Sequence, residues 1–401
     1  MNKHALSTKQ FVSLEGRALR DAMKLMTAIV ERRNTYPILA NVCLSVAGSV
    51  LTVTGTDLDI DASTELDVIA AEGDWSVCIN ARILAAISRV AGPAEMRIER
   101  VERVRASSSR DATQTEVIAS ISIGGDAFYE LGALDPEGFP SMGGVTGELL
   151  ERFAGGSLAT TLDKVAWCIS TEETRYYLNG VAWQATASGR RLVATDGHKL
   201  ALCRYSDEPA ARPIARIIPR KTVQILRRFT AGIDVAVHAR VKPNELGELV
   251  ESEGVVDFVF GRTRMRAKMI EGTFPDVDRV IPSAQQAARQ FTFQRDVMAD
   301  ALGKIGGVPG DRHGVATRFS EAAGEIWLDA KSAEYGSSRV RVPGSVWADD
   351  ATDFGLNGSY FAALLGSCSG PVTMRMGDAG SPILVSDDDA TMTRVIMPMR
   401  V

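Results

Sequence analysis

The chain repeats one pattern three times, and this constrains its fold more than any other feature. A short polar opening followed by an apolar helical stretch runs through Cys78-Ile-Asn-Ala-Arg-Ile-Leu-Ala-Ala-Ile-Ser-Arg89. It recurs from Ile218-Pro-Arg-Lys to Arg228 and from Leu356-Asn-Gly-Ser to Gly366. Ile79 and Ile218 lie 139 positions apart, and Ile218 and Leu356 lie 138 apart. Thr56-Asp57 and Thr195-Asp196, each after a strand-like run, are again 139 apart. Two landmarks at one offset point to tandem copies of one domain, and the period is too long for a solenoid repeat of ~20–50 residues. At 401 residues the chain also exceeds the ~250–300 at which single cores stop growing. The expected domains are 1–143, 144–283 and 284–401, with junctions near Gly143-Gly144 and Pro282-Ser-Ala-Gln-Gln.

Each copy has the same coarse order. Leu19, Met23, Met26, Ile29 and Val30 recur at helical spacing, with Arg20, Lys24 and Arg32 between or just after them. Val42–Val46 and Leu51–Thr54 alternate as strands, a second helix opens near Asn80, and Glu95–Glu99 and Ile121–Ile123 read as further strands. The middle copy offers helices at Leu158–Cys168 and Pro219–Phe229, with strands at Gly180–Gln184 and Arg191–Ala194. The last offers helices at Arg295–Ile305 and Ser359–Leu365, with strands at Val315–Phe319 and Ile326–Asp329. Two helices and many antiparallel strands per copy predict an α+β domain. The polar stretches Ser107–Thr113 and Lys242–Gly247 read as long hairpin tips.

Hydrophobic residues make up 45% and charged residues 24%, the balance of an ordinary globular protein. No apolar run reaches the ~20 residues needed to span a bilayer, and the opening residues lack a signal-peptide core, so a cytoplasmic protein without membrane contact is expected. The five cysteines are dispersed, with no Cys-x-x-Cys pair, and read as free buried thiols. A net charge of −5 argues against a protein that coats nucleic acid with its whole surface, though not against one basic face.

Several longer motifs carry a family likeness. Arg32-Arg-Asn-Thr-Tyr-Pro-Ile-Leu, Arg175-Tyr-Tyr-Leu-Asn-Gly, Ala194-Thr-Asp-Gly-His-Lys-Leu-Ala, Ile218-Pro-Arg-Lys, Phe274-Pro-Asp with Arg279-Val-Ile-Pro, and Met397-Pro-Met-Arg-Val occur in one order. Together, from about Phe11 to Val401, they resemble the bacterial DNA polymerase III sliding clamp, the beta subunit. The chain departs from that pattern in an N-terminal extension of about nine residues, in Lys199, in its final Val401 and in the long hairpin at Ser107.

The resemblance implies three tandem DNA-clamp domains per chain, closing as a homodimer into a six-domain ring around duplex DNA. Its inner helices touch the DNA backbone without reading sequence. By resemblance, Arg33, Arg82, Tyr176, Tyr177, Arg220 and Lys221 match positions that touch DNA. Arg82, Arg220 and Lys221 also open predicted helices, where free N–H groups suit a phosphate; Ser359 takes that place in the third copy. The resemblance further implies a groove between the middle and last domains, formed by Leu178, Thr195, Gly197, His198, Lys199, Leu200, Pro275, Arg279, Val280, Pro382, Val395, Met397, Pro398, Met399 and Arg400. Its ligands would be short motifs of the polymerase III catalytic subunit, the clamp loader and other clamp-binding proteins. The tail itself reads as a short apolar strand whose methionines form either an adaptable surface or plain core.

Thr195-Asp-Gly-His offers a competing enzymatic reading, with Asp196 and His198 as an acid–base pair. Asp-Gly is first a turn signal, no nucleophile or third ligand stands beside it, and no phosphate-binding Gly-rich loop occurs. No catalytic residue, metal or cofactor is expected.

Overall fold

The computed structural model describes residues 10–32, 35–106, 113–142, 145–210, 212–243, 249–283, 286–306, 316–332, 336–348, 350 and 352–400. Arg33, Val315, Val401, the Gly143-Gly144 junction and the tips of both expected hairpins lie outside them.

The first repeat contains β1 (Phe11–Glu15), α1 (Gly16–Ile29), β2 (Asn41–Ala47), β3 (Val50–Thr56), β4 (Ile60–Asp67), β5 (Ala70–Glu72), β6 (Trp75–Asn80), α2 (Ala81–Ala91), β7 (Glu95–Ala106), β8 (Thr113–Ile123) and β9 (Ala127–Gly132). The second contains β10 (Val145–Phe153), α3 (Ser157–Val165), β11 (Gly180–Thr186), β12 (Gly189–Thr195), β13 (Lys199–Ser206), β14 (Ile214–Pro219), α4 (Arg220–Phe229), β15 (Val235–Pro243), β16 (Leu249–Phe260) and β17 (Thr263–Lys268). The third contains β18 (Arg289–Gln294), α5 (Arg295–Ile305), β19 (Ala316–Ala322), β20 (Glu325–Ser332), β21 (Gly336–Val342), β22 (Phe354–Asn357), α6 (Gly358–Gly366), β23 (Pro371–Met376), β24 (Ile383–Ser386) and β25 (Met392–Ile396).

The repeat seen in the sequence is a repeat of topology. In each copy four strands pair in the order last, first, second, third: β6-β2-β3-β4, β14-β11-β12-β13 and β22-β19-β20-β21. A second set joins the strand before the first helix to the three after the second helix. These sets are β1-β7-β8-β9, with β5 added beside β1, then β10-β15-β16-β17 and β18-β23-β24-β25. Neighbouring copies share sheets, because β4 pairs with β17 and β13 pairs with β25. Among the described residues every strand pairing is antiparallel, in line with the α+β reading.

The chain divides into two compact units. The first comprises Met1–Leu158 and Gln224–Met269, the second Ala159–Val223 and Ile270–Val401. In the first unit, Leu19, Met23, Met26 and Ile29 of α1 are all buried, at the spacing the sequence predicted. Burying each stabilises by roughly 1.5–3 kcal/mol. Gly16 lets α1 approach α2: a Cβ there would lie 2.5 Å from the Ala91 Cβ. The Asn80 side chain caps α2 by accepting from the Arg82 and Ile83 N–H groups at 3.1 and 3.2 Å. Asn357 caps α6 in the same way, each cap contributing about 1 kcal/mol. In the second unit an aromatic core of Phe291, Phe319, Trp347, Phe354 and Phe361 lies beneath α5 and α6. A smaller core joins Ala182, Val193, Leu200, Leu202, Val277 and Val395.

Two local expectations are revised. The helix expected to reach Cys168 ends at Val165 and tightens into a 3-10 turn over Ala166–Cys168. There the Trp167 indole N–H takes the Lys164 carbonyl at 3.0 Å. The tail expected as a strand at Met397 is instead preceded by one, β25, which stops at Ile396. Past it the Met397 N–H donates to the His198 carbonyl at 2.8 Å and the Met399 N–H to the Gly355 carbonyl at 2.9 Å. Pro398, between them, has no N–H with which to continue a ladder.

Candidate peptide groove and basic cleft

The second unit carries a groove of about 350 Å³. Ten of the expected residues line it: Leu178, Thr195, Gly197, His198, Lys199, Leu200, Pro275, Val280, Val395 and Met397. Arg175, Tyr177, Asp276 and Val277 complete the lining. Arg279, Pro382, Pro398, Met399 and Arg400 are outside it. Asp276, Val277 and Arg175 were missed, although each adjoins a named motif residue. Tyr177, expected on DNA, forms part of the groove wall.

The floor is set by strand register. Leu200 and Val395 sit opposite each other on β13 and β25, and both are buried with Val277. A 3-10 turn over Val277–Arg279 seats Val277; its Asp276 cap accepts from the Asp278 N–H at 3.2 Å. Arg191 holds that turn through a two-pronged contact to Asp278 at 2.7 and 2.8 Å. The hydrogen bond from Arg191 keeps the Asp278 carboxyl below the usual range. Val280, 48% exposed, and Met397, 36% exposed, leave large apolar side chains open at the rim.

The Thr195–Lys199 turn is built by its own side chains. The Thr195 hydroxyl donates to the Lys199 carbonyl at 2.8 Å and accepts from the Gly197 N–H at 3.1 Å. One Asp196 oxygen accepts the His198 and Lys199 N–H groups, each at 2.9 Å, and the other pairs with the Lys199 ammonium. Gly197 has φ +90°, and a Cβ there would come 2.7 Å from the Arg175 guanidinium. Arg175 is itself held by Glu172, whose carboxyl the Arg175 hydrogen bond lowers. Lys199 lies 4.9 Å from the Tyr360 ring, and His198 stacks on the same ring at 6.0 Å. Asp196 thus engages both oxygens in the turn. Among the described residues no cluster of three His, Cys, Asp or Glu could hold a metal.

Behind the groove, Arg394 and Asp387 form an ion pair at 2.9 Å with both side chains 1% exposed. The Arg394 guanidinium also donates to the Ser367 hydroxyl at 2.9 Å and to its carbonyl at 2.6 Å. This pins β25 from the side opposite the rim.

The first unit carries a cleft of a different kind, about 420 Å³, lined by Lys24, Thr27, Ala28, Val30, Arg32, Ala81, Arg82, Ala85, Arg89 and Arg228. Lys24 pairs with Asp21 at 2.8 Å. Among the described residues Arg32, Arg82, Arg89 and Arg228 have no carboxylate within ion-pair distance. Of the expected DNA contacts among the described residues, only Arg82 lies here. Lys24, Arg32, Arg89 and Arg228 were not singled out, although Arg82 and Arg89 are two helical turns apart on one face. Arg220 and Lys221 open α4, where the Arg220 N–H donates to the Asn179 carbonyl at 3.0 Å. That bond joins the helix start to the turn Tyr176–Leu178, in which Tyr176 is exposed and meets Tyr177 edge-on at 5.8 Å.

Comparison with known proteins finds relatives along nearly the whole chain. The family described as DNA polymerase III beta subunit, N-terminal domain, matches residues 10–142, and the central domain of the same subunit matches residues 153–276. The beta sliding clamp of Caulobacter vibrioides is 31% identical over 405 residues, spanning 97% of this chain and 100% of the relative. That of Pseudomonas aeruginosa is 27% identical over 406 residues, spanning 97% and 99%. Among solved structures, the sliding clamp of Bartonella birtlesii bound to griselimycin superposes with a TM-score of 0.84 at 27% identity, covering 98% of this chain and 100% of that one. The polymerase III beta of Caulobacter crescentus gives 0.81 at 30% identity, with the same coverage. With that extent of likeness, the chain belongs to the family of DNA polymerase III beta subunits, the beta sliding clamps.

Proposed function

We propose that two copies of this chain close head to tail into a ring of six domains that encircles duplex DNA. The domains are those expected from the repeat, 1–143, 144–283 and 284–401. One observation carries the reading. Wherever two repeats meet in this chain, the third strand of one copy's first set pairs with the last strand of the next copy's second set, as β4 with β17 and β13 with β25. Applied once more, the rule leaves β21 of the third repeat and β9 of the first, each with a single neighbour among the described strands. Unpaired edges of that kind invite pairing with another chain. On β9, Phe128 is 74% exposed, a large apolar side chain at such an edge. Joining β21 of one copy to β9 of the other satisfies all four edges of a dimer and closes the assembly.

The ring acts without catalysis, in the cytoplasm, as a tether retained on DNA by its topology. Arg82 and the basic cleft, with Arg220, Lys221, Tyr176, Tyr177 and Arg33, supply weak contacts to phosphate that leave sliding free. The groove takes short apolar motifs of the polymerase III catalytic subunit, the clamp loader and other clamp-binding proteins, with Arg279, Pro382, Pro398, Met399 and Arg400 flanking the lining. Mass determination in solution tests the assembly: it should give a dimer, with rings in electron micrographs. A monomer at micromolar concentration, with no rings, would overturn the reading.

A further inference from the structure

Cys43 and Cys78 are cross-strand neighbours on β2 and β6. Both backbone groups of Cys78 turn away from β2: its N–H donates to the Leu134 carbonyl and its carbonyl accepts from the Leu134 N–H, each at 2.9 Å. Cys43 and Cys78 are therefore a non-hydrogen-bonded pair, the antiparallel arrangement with the closest side chains and Cα atoms ~4.5 Å apart. Two positions along the same strands, the Ser76 hydroxyl meets the Ser45 hydroxyl at 2.9 Å, so side chains on this face do touch across the strands. A Cα separation of ~4.5 Å is one that a disulfide can span. Both thiols are free.

Access distinguishes the two. Cys43 is half-buried, whereas Cys78, Cys168, Cys203 and Cys368 are buried. Cys43 lines a cavity of about 300 Å³ that Asp61, Arg264 and Arg266 also border. Asp61 on the same cavity is ion-paired with Arg266 at 3.5 Å. A hydrogen bond from Cys78 lowers the Cys43 thiol, while that bond and burial push Cys78 up.

We propose that Cys43 is a peroxide-reactive thiol and Cys78 its resolving partner, so that hydrogen peroxide closes a Cys43–Cys78 disulfide between β2 and β6. The Cys43 thiolate attacks one peroxide oxygen and the O–O bond breaks. The leaving hydroxide takes the proton that Cys43 gave up and departs as water, leaving a sulfenic acid. The Cys78 sulfur then attacks the Cys43 sulfur, the S–S bond forms and the S–O bond breaks. The second hydroxide leaves as water with the Cys78 proton. Peroxide is reduced, the two thiols are oxidised, and no other reactant is consumed. Because β6 runs directly into the Asn80 cap of α2, the crosslink ties the strand that launches this helix to its neighbour.

Full-length protein exposed to hydrogen peroxide and then denatured should lose two of its five thiols and recover them with dithiothreitol. Both cysteines fall within one tryptic peptide, since no Lys or Arg lies between Arg33 and Arg82. Cleavage at the acidic residues between them should therefore yield two peptides joined by a disulfide. Cys78→Ser should hold Cys43 as a sulfenic acid that dimedone traps, and Cys43→Ser should leave Cys78 unmodified. Survival of all five thiols would overturn the proposal. So would dimedone labelling of Cys78, or oxidation of Cys168, Cys203 or Cys368 ahead of Cys43. The thiol count and peptide map use the wild-type chain, so they decide the matter even where a variant folds poorly.

Discussion

The groove of the second unit and the cleft of the first are of similar size, about 350 and 420 Å³, yet their walls are chemically opposed. The groove presents Leu178, Leu200, Val277, Val280, Val395 and Met397, and the charges in its lining are each paired, Lys199 with Asp196, Arg175 with Glu172 and Asp276 with Arg279. The cleft presents Lys24, Arg32, Arg82, Arg89 and Arg228, with no carboxylate among the described residues of its lining. A wall of the first kind holds a ligand by removing apolar surface from water, an effect that is short-ranged and specific to shape. A wall of the second kind acts through unscreened charge, which phosphate on any sequence satisfies and which salt weakens. On the function proposed above, the first wall would grip protein partners firmly and the second would hold DNA loosely.

The largest effect is expected behind the groove. Asp387→Ala strands the buried Arg394 guanidinium without its partner, and breaking such a pair costs about 3–5 kcal/mol. Chemical denaturation should show that loss, while Asp278→Ala at the exposed end of the Arg191 contact should cost less than about 1 kcal/mol. Equal losses would mean that the Arg394–Asp387 pair does not anchor β25.

Next comes the rim. Deleting Met397–Val401 should weaken binding of a short peptide carrying an apolar pair after a glutamine by about 100-fold, or ~2.7 kcal/mol. The dimer should stay intact, and the peptide affinity of the wild-type protein should depend little on salt. Calorimetric titration beside a mass determination checks this. Unchanged affinity would remove the tail from the groove, and a collapsed protein would make its methionines plain core.

The tail marks how far the sequence could be read. The repeats and the six helices were legible because each depends on local spacing, as Leu19 to Val30 keep a helical period, whereas the groove residues came from the family resemblance of the longer motifs. Strand order was not legible, since the pairing of β4 with β17 joins residues about 200 positions apart. Tyr177 was read as a DNA contact beside Tyr176, and its additional place in the groove lining, set by the turn at Arg175–Asn179, was not legible. Arg89 could have been added to Arg82 from helical phase alone. Arg228 could not, because only the tertiary fold carries α4 to the cleft.

Smaller again is the effect of the cleft. Arg82→Ala with Arg89→Ala should reduce the slope of log affinity against log salt for duplex DNA by about 1.8, the share of two phosphate contacts. Arg220→Ala with Lys221→Ala should act similarly and uniformly across sequences. Neither pair should alter peptide binding. A change in peptide affinity with unaltered salt dependence would break the contrast between the two walls.

The smallest effect concerns pH. Burial alone would raise the Asp389 carboxyl, but hydrogen bonds from Lys164 and Thr391 outweigh it and hold it at about 2. A depressed folded pKa stabilises above the unfolded value, and this contribution is lost as pH falls through about 4 to 2. Solvent reaches the pair, so Lys164→Met should cost under about 1 kcal/mol at neutral pH and flatten the stability profile in that acid window.

The central claim is retention by topology, and it is tested most directly on DNA of two shapes. Loaded by a clamp loader onto nicked circular DNA, the protein should stay bound through gel filtration at a salt concentration that abolishes simple electrostatic binding. It should then be lost once the circle is cut by a restriction enzyme. Equal retention on linear and circular DNA, or equal loss from both, would contradict a closed ring that holds DNA by encircling it.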